Sequence, residues 1–283
     1  MKGVSEITLK EAFLEKYPKY GIIIRMFEEA NGCDAEWGEL SKLRLIRFTE
    51  YMSDRLSPNS TRQYAAKLKA VLNRYSEEVK LDFDFASILT LKEQVPVNTF
   101  LDEEEIRRIS EVEIMNETER LIRDQFLLGC VTGARHSDFC QFTKENIQDG
   151  WLSYVSQKTK VFVEIPVSPV LKRFIKEQSP ALSGRIVSDV YFNDTIRKLA
   201  DKAGITAKTR CFKAGKNVTG RKCDLIASHT ARRSCASNLA ARGVSEIWIK
   251  KILGHTRGTT DRYICLEGRR MPKEAKDYFL SFK

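Results

Sequence analysis

The stretch "SHTARRSCASNLAARG", residues 228–243, decides the fold of the second half of the chain, because it has a marked start, a helical interior and a marked end. Ser228 is a residue type that caps helix N-termini, and Gly243 is typical of the position just past a helix C-terminus. His229 and Arg232 are three residues apart, which places both side chains on one helix face. The stretch predicts a helix that presents an imidazole beside a guanidinium.

The other two histidines of the chain lie in two further polar motifs, "TGARHSD" (132–138) and "LGHTRGTTDRYI" (253–264). The second motif follows a segment with the pattern of a short helix that ends at Gly254. His255 then comes directly after that helix, and Tyr263 follows eight residues later. The pattern predicts a histidine held at a helix end and a tyrosine brought back by a tight turn.

Between these motifs lies "GWLSYVSQKTKVFVEIPVS", residues 150–168. Two β-prone runs, 151–156 and 161–166, flank a polar turn that carries Lys158 and Lys160. Such runs around a short polar turn are typical of a β-hairpin. We expect a hairpin with a lysine at its tip, in a half of the chain that is otherwise helical.

The first half of the chain has the pattern of a small helical bundle. "LSKLRLIRFTEYM" (40–52) is amphipathic, and "SPNSTRQYAAKLKAVLNRY" (57–75) starts with a capping residue, Ser57 or Ser60. The second segment also repeats apolar residues at helical spacing. These apolar residues are Tyr64, Leu68, Val71, Leu72 and Tyr75.

The break between the two halves is marked by a proline-containing segment, residues 94–100. A helix restarts after it at "LDEEEI", where Asp102 as N-cap and Glu105 three residues later form a capping-box pattern. We therefore predict a helical domain over residues 1–93, a linker over 94–100 and a second domain over 101–283.

The formal net charge of +10 is unevenly distributed. Residues 1–95 carry 15 basic and 15 acidic side chains, so the whole excess lies beyond them. Residues 208–222 carry six Lys/Arg and no acid, which fits a solvated loop or a polyanion partner, most often nucleic acid. We expect DNA-backbone contacts from Lys160, Lys208, Arg210, Lys213, Lys216, Arg221, Lys222 and Arg233.

Several classes of protein are disfavoured. No apolar run approaches membrane-spanning length, and the N-terminus lacks the apolar middle of a signal peptide, so we predict a cytoplasmic protein. The seven cysteines form no CxxC pair, and no GxxxxGK[ST] phosphate loop occurs. We predict neither a metal nor a cofactor, because the one candidate zinc set does not match common ligand spacing. That set is Cys211, Cys223, His229 and Cys235.

The order arginine, hairpin lysine, His-x-x-Arg, histidine, tyrosine suits one kind of chemistry. Guanidinium groups bind non-bridging phosphate oxygens with a planar fork. A tyrosine hydroxyl, with a free pKa near ~10, becomes a nucleophile beside cations and a proton acceptor, and a lysine can protonate a leaving oxygen. The set can therefore perform phosphoryl transfer onto tyrosine without a metal.

These motifs resemble the conserved boxes of the tyrosine recombinase (phage integrase) family. The resemblance covers roughly residues 5–280 and is strongest from 129 to 266; the tract 225–243 is especially like integrases of Bacteroidetes and their mobile elements. It implies a mainly α protein. An N-terminal helical core-binding domain (SAM-like) would precede a mostly α catalytic domain with a small antiparallel β-sheet.

Carried over by motif position, the resemblance implies a role for each residue of the set. Arg135 and Arg232 would bind the scissile phosphate, His255 would donate to a non-bridging oxygen, and Asp138 would support the site. From the residues alone, Arg135 and Asp138 are also compatible with a structural ion pair. His136 is expected to pack locally or to touch DNA.

The resemblance assigns the bond-making and proton-transfer steps to three further residues. Tyr263 would be the nucleophile, His229 would assist proton transfer, and Lys158 would protonate the leaving 5′ oxygen, with Lys160 as its rival. A helix-capping role for His229 stays open. The spacing from His255 to Tyr263 is one residue shorter than usual in the family.

The function implied is site-specific DNA cleavage and rejoining through a 3′-phosphotyrosine, without ATP or metal. The partners implied are double-stranded DNA with inverted half-sites and three further copies of the chain, joined through the apolar C-terminal segment "PKEAKDYFLSFK" (272–283). Two alternatives stay open. One is an inactive DNA-binding protein on this fold, and the other is a topoisomerase-like enzyme that relaxes DNA.

Overall fold

The structure is a computed structural model that describes residues 6–92, 98–213, 216–256, 260, 263 and 264, without the side chains of 211–213, 216 and 217. The chain divides into two compact units: the N-terminal unit is Met1–Pro96 with Phe212–Asn217, and the C-terminal unit is Val97–Cys211 with Val218–Lys283. Within the described ranges, every helix is too short or too polar to cross a lipid bilayer.

The N-terminal unit is built from helices whose ends are set by local signals. The longest, α4, starts at Pro58 because the Ser57 side chain accepts a hydrogen bond from the Ser60 N–H, which confirms the predicted start. The other helices follow the amphipathic pattern of the sequence. The helices are α1 (Leu9–Lys16), α2 (Gly21–Asn31), α3 (Lys42–Arg55), α4 (Pro58–Arg74), α5 (Ser76–Val79) and α6 (Phe85–Ile88).

The core of this unit is aromatic and aliphatic. Phe27 and Phe48 meet in a T-shaped contact with ring centroids 5.6 Å apart, and both are fully buried. The apolar face predicted for α4 is buried at Leu68, Val71 and Leu72, as helical spacing requires. Burial of such side chains, about 1.5–3 kcal/mol each, provides most of the stability of a bundle of this size.

The C-terminal unit has a helical core around α8 (Glu117–Thr132), which packs against α12 (Ser228–Ala241). The close approach of these helices needs Gly129, because a Cβ there would lie 2.7 Å from the Phe139 ring and 2.9 Å from Ala231. The helices of this unit are α7 (Glu103–Glu111), α8 (Glu117–Thr132), α9 (His136–Phe139), α10 (Pro169–Lys176), α11 (Asp189–Lys202), α12 (Ser228–Ala241) and α13 (Glu246–Ile252).

Helix α7 begins where the capping box predicts. Asp102 accepts from the Glu105 N–H, and the Glu105 carboxylate accepts from the Asp102 N–H, each at 2.9 Å. The residues just before it are less exposed than the predicted linker suggests. Thr99 and Phe100 are buried, and the Leu101 N–H donates to Ser234 Oγ at 2.8 Å, so this end of the segment belongs to the packed unit.

The predicted hairpin is present as β2 (Trp151–Val155) and β3 (Phe162–Pro166), each one residue shorter than expected, with β1 (Ile147–Gln148) on the other edge of β2. The strands are antiparallel, with Tyr154 opposite Val163. Alternate residues face the core, as the period of a strand requires. This sheet, together with the helical majority, confirms the expected fold class.

A second hairpin differs from the sequence expectation. Strands β4 (Lys208–Lys213) and β5 (Lys216–Arg221) form a two-stranded sheet within the basic stretch, where no strand is expected from the sequence. The expectation failed because "KTRCFK" and "KNVTGR" lack the apolar alternation that marks a half-buried strand. The basic residues of this stretch therefore lie on two hydrogen-bonded strands and not on the solvated loop that the sequence allowed.

The start of α12 is also one residue away from the predicted cap. Ala227, not Ser228, is the N-cap residue, and its N–H donates to Thr230 Oγ1 at 3.0 Å. The Ser228 N–H donates instead to Asn193 Oδ1 on α11, at 2.8 Å. A contact with a distant helix therefore replaces the local cap, and His229 keeps its position in the first turn.

Candidate active site

The site is organised around Arg232, which is 1% exposed although it carries a full charge. Its two terminal nitrogens donate to the carbonyl oxygens of Gly133 and Leu253, both at 2.6 Å. One of them also donates to His255 Nε2 at 2.7 Å. Burial, followed by the charge of Arg135, lowers the pKa of Arg232 to about 10, so the guanidinium stays charged at neutral pH.

Two glycines allow these carbonyls to converge on one guanidinium. Gly133 ends α8 at φ +68°, and a Cβ there would lie 2.8 Å from Leu253 Cδ2. Gly254 follows α13 at φ +59°, where a Cβ would lie 2.9 Å from Val163 Cγ2. Both positions require left-handed backbone and close approach, which explains glycine in "TGARHSD" and "LGH".

Arg135 and Asp138 are joined through a residue that the motifs did not indicate. Arg135 donates to Ser156 Oγ at 2.8 Å, and Ser156 Oγ donates to Asp138 Oδ2 at 3.0 Å. The other carboxylate oxygen accepts from the Gln157 N–H at 3.0 Å. Ser156 is fully buried and directly follows β2, so it connects Arg135 to the start of the turn that carries Lys158.

Lys158 lies at the tip of the β2–β3 turn with its side chain exposed. Its neighbour Thr159 donates to the Gly254 carbonyl oxygen at 2.9 Å, which fixes the turn against the segment that carries His255. The Lys158 charge acts on His229, where it contributes to lowering the pKa of the imidazole. Lys160, also exposed, has φ +57° and closes the turn through its N–H to the Ser156 carbonyl.

His229 faces Tyr263, with 3.3 Å between His229 Nε2 and the tyrosine hydroxyl. Burial lowers the pKa of His229 to about 4, and the charges of Arg233, Arg232, Arg135 and Lys158 act in the same direction. At neutral pH the ring is therefore uncharged, with one nitrogen able to accept a proton.

Tyr263 is half-buried against the same groups. Its ring lies 5.0 Å from the Arg232 guanidinium carbon and 4.8 Å, centroid to centroid, from His255. Its backbone N–H donates to the Thr260 carbonyl at 2.9 Å. The tyrosine ring thus lies against a buried cation, and its hydroxyl lies beside the neutral imidazole of His229.

His255 is buried, and burial, together with the Arg232 and Arg135 charges, lowers its pKa to about 4. Nε2 accepts from Arg232, and Nδ1 lies 3.1 Å from Thr260 Oγ1. Both ring nitrogens are therefore engaged with protein groups. This geometry differs from the phosphate-donor role that the resemblance implies for His255, because an Nε2 that accepts from arginine carries no proton to donate.

Five of the side chains predicted to contact DNA, Lys160 among them, are exposed or partly exposed. Lys208 and Arg210 are exposed on β4, and the charge of partly exposed Arg233 reaches the His229 ring. The side chains of Lys213 and Lys216 lie outside the described part of the structure, as does the segment 272–283 predicted to dock on a neighbouring copy. Arg221 is exposed but forms ion pairs with Asp201 at 2.8 Å and Asp224 at 3.0 Å.

Lys222 does not fit a DNA contact. It is 7% exposed, and its ammonium lies 2.7 and 2.5 Å from the two carboxylate oxygens of Glu105. A buried pair of this kind ties the end of β5 to the first turn of α7, and it leaves no charge to offer to a phosphate. The prediction failed for Lys222 because a run of basic residues in the sequence does not show which of them forms an ion pair with a distant acidic residue.

His136, the third histidine, lies beside the site and has local partners. Its Nδ1 is 2.8 Å from an Asp189 carboxylate oxygen, and its ring packs against Phe139 and Phe192. Burial lowers its pKa, the Asp189 charge opposing the effect. This is the local packing expected from the sequence as one of two alternatives.

The comparison with family models matches residues 99–267 to the phage integrase family. The match spans more than half of the chain and all of the site described above. The chain therefore belongs to the phage integrase family, whose members, the tyrosine recombinases, carry out site-specific DNA recombination. A search of curated protein sequences found no match.

Solved structures agree on the fold. Lambda integrase residues 75–356, described as a dimer bound to a COC′ core site, are 17% identical, with a TM-score of 0.64 over 92% of this chain and 96% of that chain. XerH bound to a palindromic difH substrate is 14% identical, with a TM-score of 0.65 over 95% and 81%. The Tn1549 transposon integrase with transposon right-end DNA is 13% identical, with a TM-score of 0.64 over 98% and 99%.

Proposed function

We propose that this protein cleaves and rejoins DNA at specific sites by transferring a DNA phosphate onto Tyr263 and back. The observation that carries the proposal is the 3.3 Å approach of the Tyr263 hydroxyl to a neutral His229 ring, beside the buried Arg232. A nucleophile, a proton acceptor and a fixed cation are brought together from sequence positions 34 residues apart or fewer. A structural core would not need this set in one place.

In the proposed reaction the scissile phosphate binds between Arg135 and Arg232. Tyr263 Oη forms a bond to phosphorus as the bond from phosphorus to the 5′ oxygen breaks, and the tyrosine proton passes to His229. Lys158 gives a proton to the leaving 5′ oxygen. The products are a 3′-phosphotyrosine and a free 5′-hydroxyl, so the energy of the phosphodiester is retained and neither ATP nor metal takes part.

Rejoining reverses these steps with the 5′-hydroxyl of a partner strand. His229 returns its proton to the tyrosine oxygen, and the lysine recovers a proton from the attacking hydroxyl, as microscopic reversibility requires. The rigid placement of Arg135 through Ser156 and of Arg232 through two carbonyls favours a charge-stabilising role. Such preorganised donors add several kcal/mol of transition-state stabilisation in comparable sites.

We further propose that residues 1–93 form the core-binding domain and residues 101–283 the catalytic domain. The exposed Lys208 and Arg210 of β4 would lie on the DNA backbone. The assembly would be a tetramer on DNA with inverted half-sites, joined through the C-terminal segment and acting in the cytoplasm on the nucleoid. The described DNA complexes of lambda integrase, one of them a tetramer on a Holliday junction, support this assembly by analogy.

The test uses duplexes selected from a random-sequence pool by binding to the full-length protein. Each is nicked near the centre of the selected site, so that the short fragment diffuses away after cleavage and the covalent intermediate accumulates. We expect a complex that survives denaturing electrophoresis in the presence of EDTA. Binding without any covalent complex would favour the inactive DNA-binding alternative.

Substrates with two sites distinguish a recombinase from the remaining alternative, a topoisomerase-like enzyme. A recombinase should exchange strands between two selected duplexes of different length and give recombinant products. A topoisomerase-like enzyme should relax a supercoiled plasmid carrying the site without such products. Relaxation without exchange would replace the proposed function.

A further inference from the structure

Thr260 is a residue of this site whose side chain and backbone both make hydrogen bonds and which has no assigned role. It is fully buried and lies between His255 and Tyr263 in the sequence. Its hydroxyl oxygen lies 3.1 Å from His255 Nδ1, and its carbonyl oxygen accepts from the Tyr263 N–H at 2.9 Å. Thr260 therefore contacts both the His255 ring and the backbone of Tyr263.

The hydrogen-bond chemistry of the group fixes the proton on His255. Arginine is a donor only, so His255 Nε2 must accept from Arg232 at 2.7 Å. In a neutral imidazole the proton then resides on Nδ1, which donates to Thr260 Oγ1. A buried N–H without an acceptor costs about 1–3 kcal/mol, so the ring needs the Thr260 hydroxyl to keep this orientation.

The orientation of the His255 ring affects Arg232, the arginine proposed to bind the phosphate. Arg232 has three hydrogen bonds, two to backbone carbonyls and one to His255 Nε2. The positions of the two carbonyls are set by the backbone, whereas the orientation of the imidazole is set by its side-chain torsions. Its orientation therefore depends on what Nδ1 contacts.

We infer that Thr260 is a positioning residue, whose hydroxyl holds His255 as the Nδ1–H tautomer so that Nε2 orients Arg232 beside Tyr263. This inference rests on the proposed function, since the orientation matters for phosphate transfer. It assigns to His255 Nε2 the role of an acceptor that aligns a cation.

Two substitutions separate the hydroxyl from the packing. Thr260→Val keeps the branched shape and the backbone carbonyl that binds Tyr263 but removes the hydroxyl, whereas Thr260→Ser keeps the hydroxyl and removes a methyl group. We expect Thr260→Val to slow single-turnover formation of the covalent complex about 10-fold or more, because one buried hydrogen bond is removed. DNA affinity should stay unchanged, and Thr260→Ser should retain most of the rate.

Histidine NMR reads the tautomer without DNA. The chain has three histidines, so two-bond ¹⁵N–¹H correlations give three imidazole patterns, and His255→Gln identifies the one that matters. We expect an Nδ1–H pattern for His255 in the wild type and in Thr260→Ser. In Thr260→Val this pattern should disappear or be exchange-broadened.

The outcomes keep the two proposals apart. An Nε2–H pattern for wild-type His255 overturns the inference, as does a Thr260→Val enzyme that cleaves at the wild-type rate or a Thr260→Ser enzyme as slow as Thr260→Val. If Thr260→Val does not fold, the wild-type spectrum and Thr260→Ser still decide. An Nδ1–H pattern in a protein that never forms a covalent complex would support the positioning and reject the proposed function.

Discussion

Replacing Lys222 by methionine removes one half of a buried ion pair while keeping the length of the side chain. The side chains of Lys222 and Glu105 are 9% and 10% exposed, and the ammonium contacts both carboxylate oxygens. Removing one partner leaves an uncompensated buried charge, a change that costs about 3–5 kcal/mol. We expect Lys222→Met to lower the free energy of unfolding by that amount, a large part of the roughly 5–15 kcal/mol typical of a protein.

The double variant Lys222→Met/Glu105→Gln is the matched control. It removes the stranded carboxylate, and glutamine still accepts the Asp102 N–H at the start of α7, as in other capping boxes. We expect the double variant to regain most of the stability that the single variant lacks. The measurement is urea denaturation of the full-length protein, monitored by tryptophan fluorescence and far-UV circular dichroism.

The same variant tests whether Lys222 binds DNA. Because its charge is already neutralised by Glu105, the dependence of DNA affinity on salt should be the same for Lys222→Met as for the wild type. The exposed Lys208→Met is the opposite case, with stability within about 0.5 kcal/mol and a shallower salt dependence. Lys222→Met that is fully stable but binds DNA with a reduced salt slope would refute the reasoning from burial.

Three further predictions follow from the site. Lys158→Ala should slow cleavage of ordinary DNA but spare a substrate with a 5′-thiol leaving group, which needs little protonation; equal losses on both substrates would indicate a binding role. Lys208→Ala/Arg210→Ala should weaken binding to all sequences and reduce the log–log salt slope by about 0.9 for each phosphate that is no longer neutralised, and an unchanged slope would place these residues off the DNA. Burial lowers the pKa of His229 and His255 to about 4, so between pH 6.5 and 4 these histidines take up protons chiefly in the unfolded chain. The free energy of unfolding should therefore fall as pH decreases from 7 to 5, by about 1–2 kcal/mol for the two histidines together once solvent screening is allowed for. A variant with glutamine in place of both histidines should show a smaller fall when unfolding by urea is measured at each pH.

Local signals were sufficient for much of the fold. The start of α4 at Ser57, the capping box at Asp102 and the β2–β3 hairpin each depend on residues close in sequence, and all three are present. The β4–β5 hairpin was not predicted, because its strands are mostly polar and their pairing is not marked by apolar alternation. The cap of α12 was misplaced because Ser228 contacts Asn193, 35 residues away.

The motifs named the residue types of the site but not the contacts that hold them. Ser156 joins Arg135 to Asp138 across 21 and 18 residues of sequence, and no local pattern distinguishes it from any other serine. Lys222 pairs with Glu105 from 117 residues away, which composition cannot show. The residue types of the site could be named from the sequence, whereas their orientation and burial depend on contacts between residues far apart in sequence.

The most direct test of the central claim is to locate the covalent bond between protein and DNA. The denatured complex from the nicked duplex is digested with nuclease and protease, and the peptide that carries the nucleotide is sequenced by tandem mass spectrometry. We expect a phosphotyrosine linkage at Tyr263, and we expect the Tyr263→Phe protein to bind the duplex with unchanged affinity but to form no covalent complex. A linkage at another residue such as Tyr278, or a covalent complex formed by the Tyr263→Phe protein, would contradict this expectation.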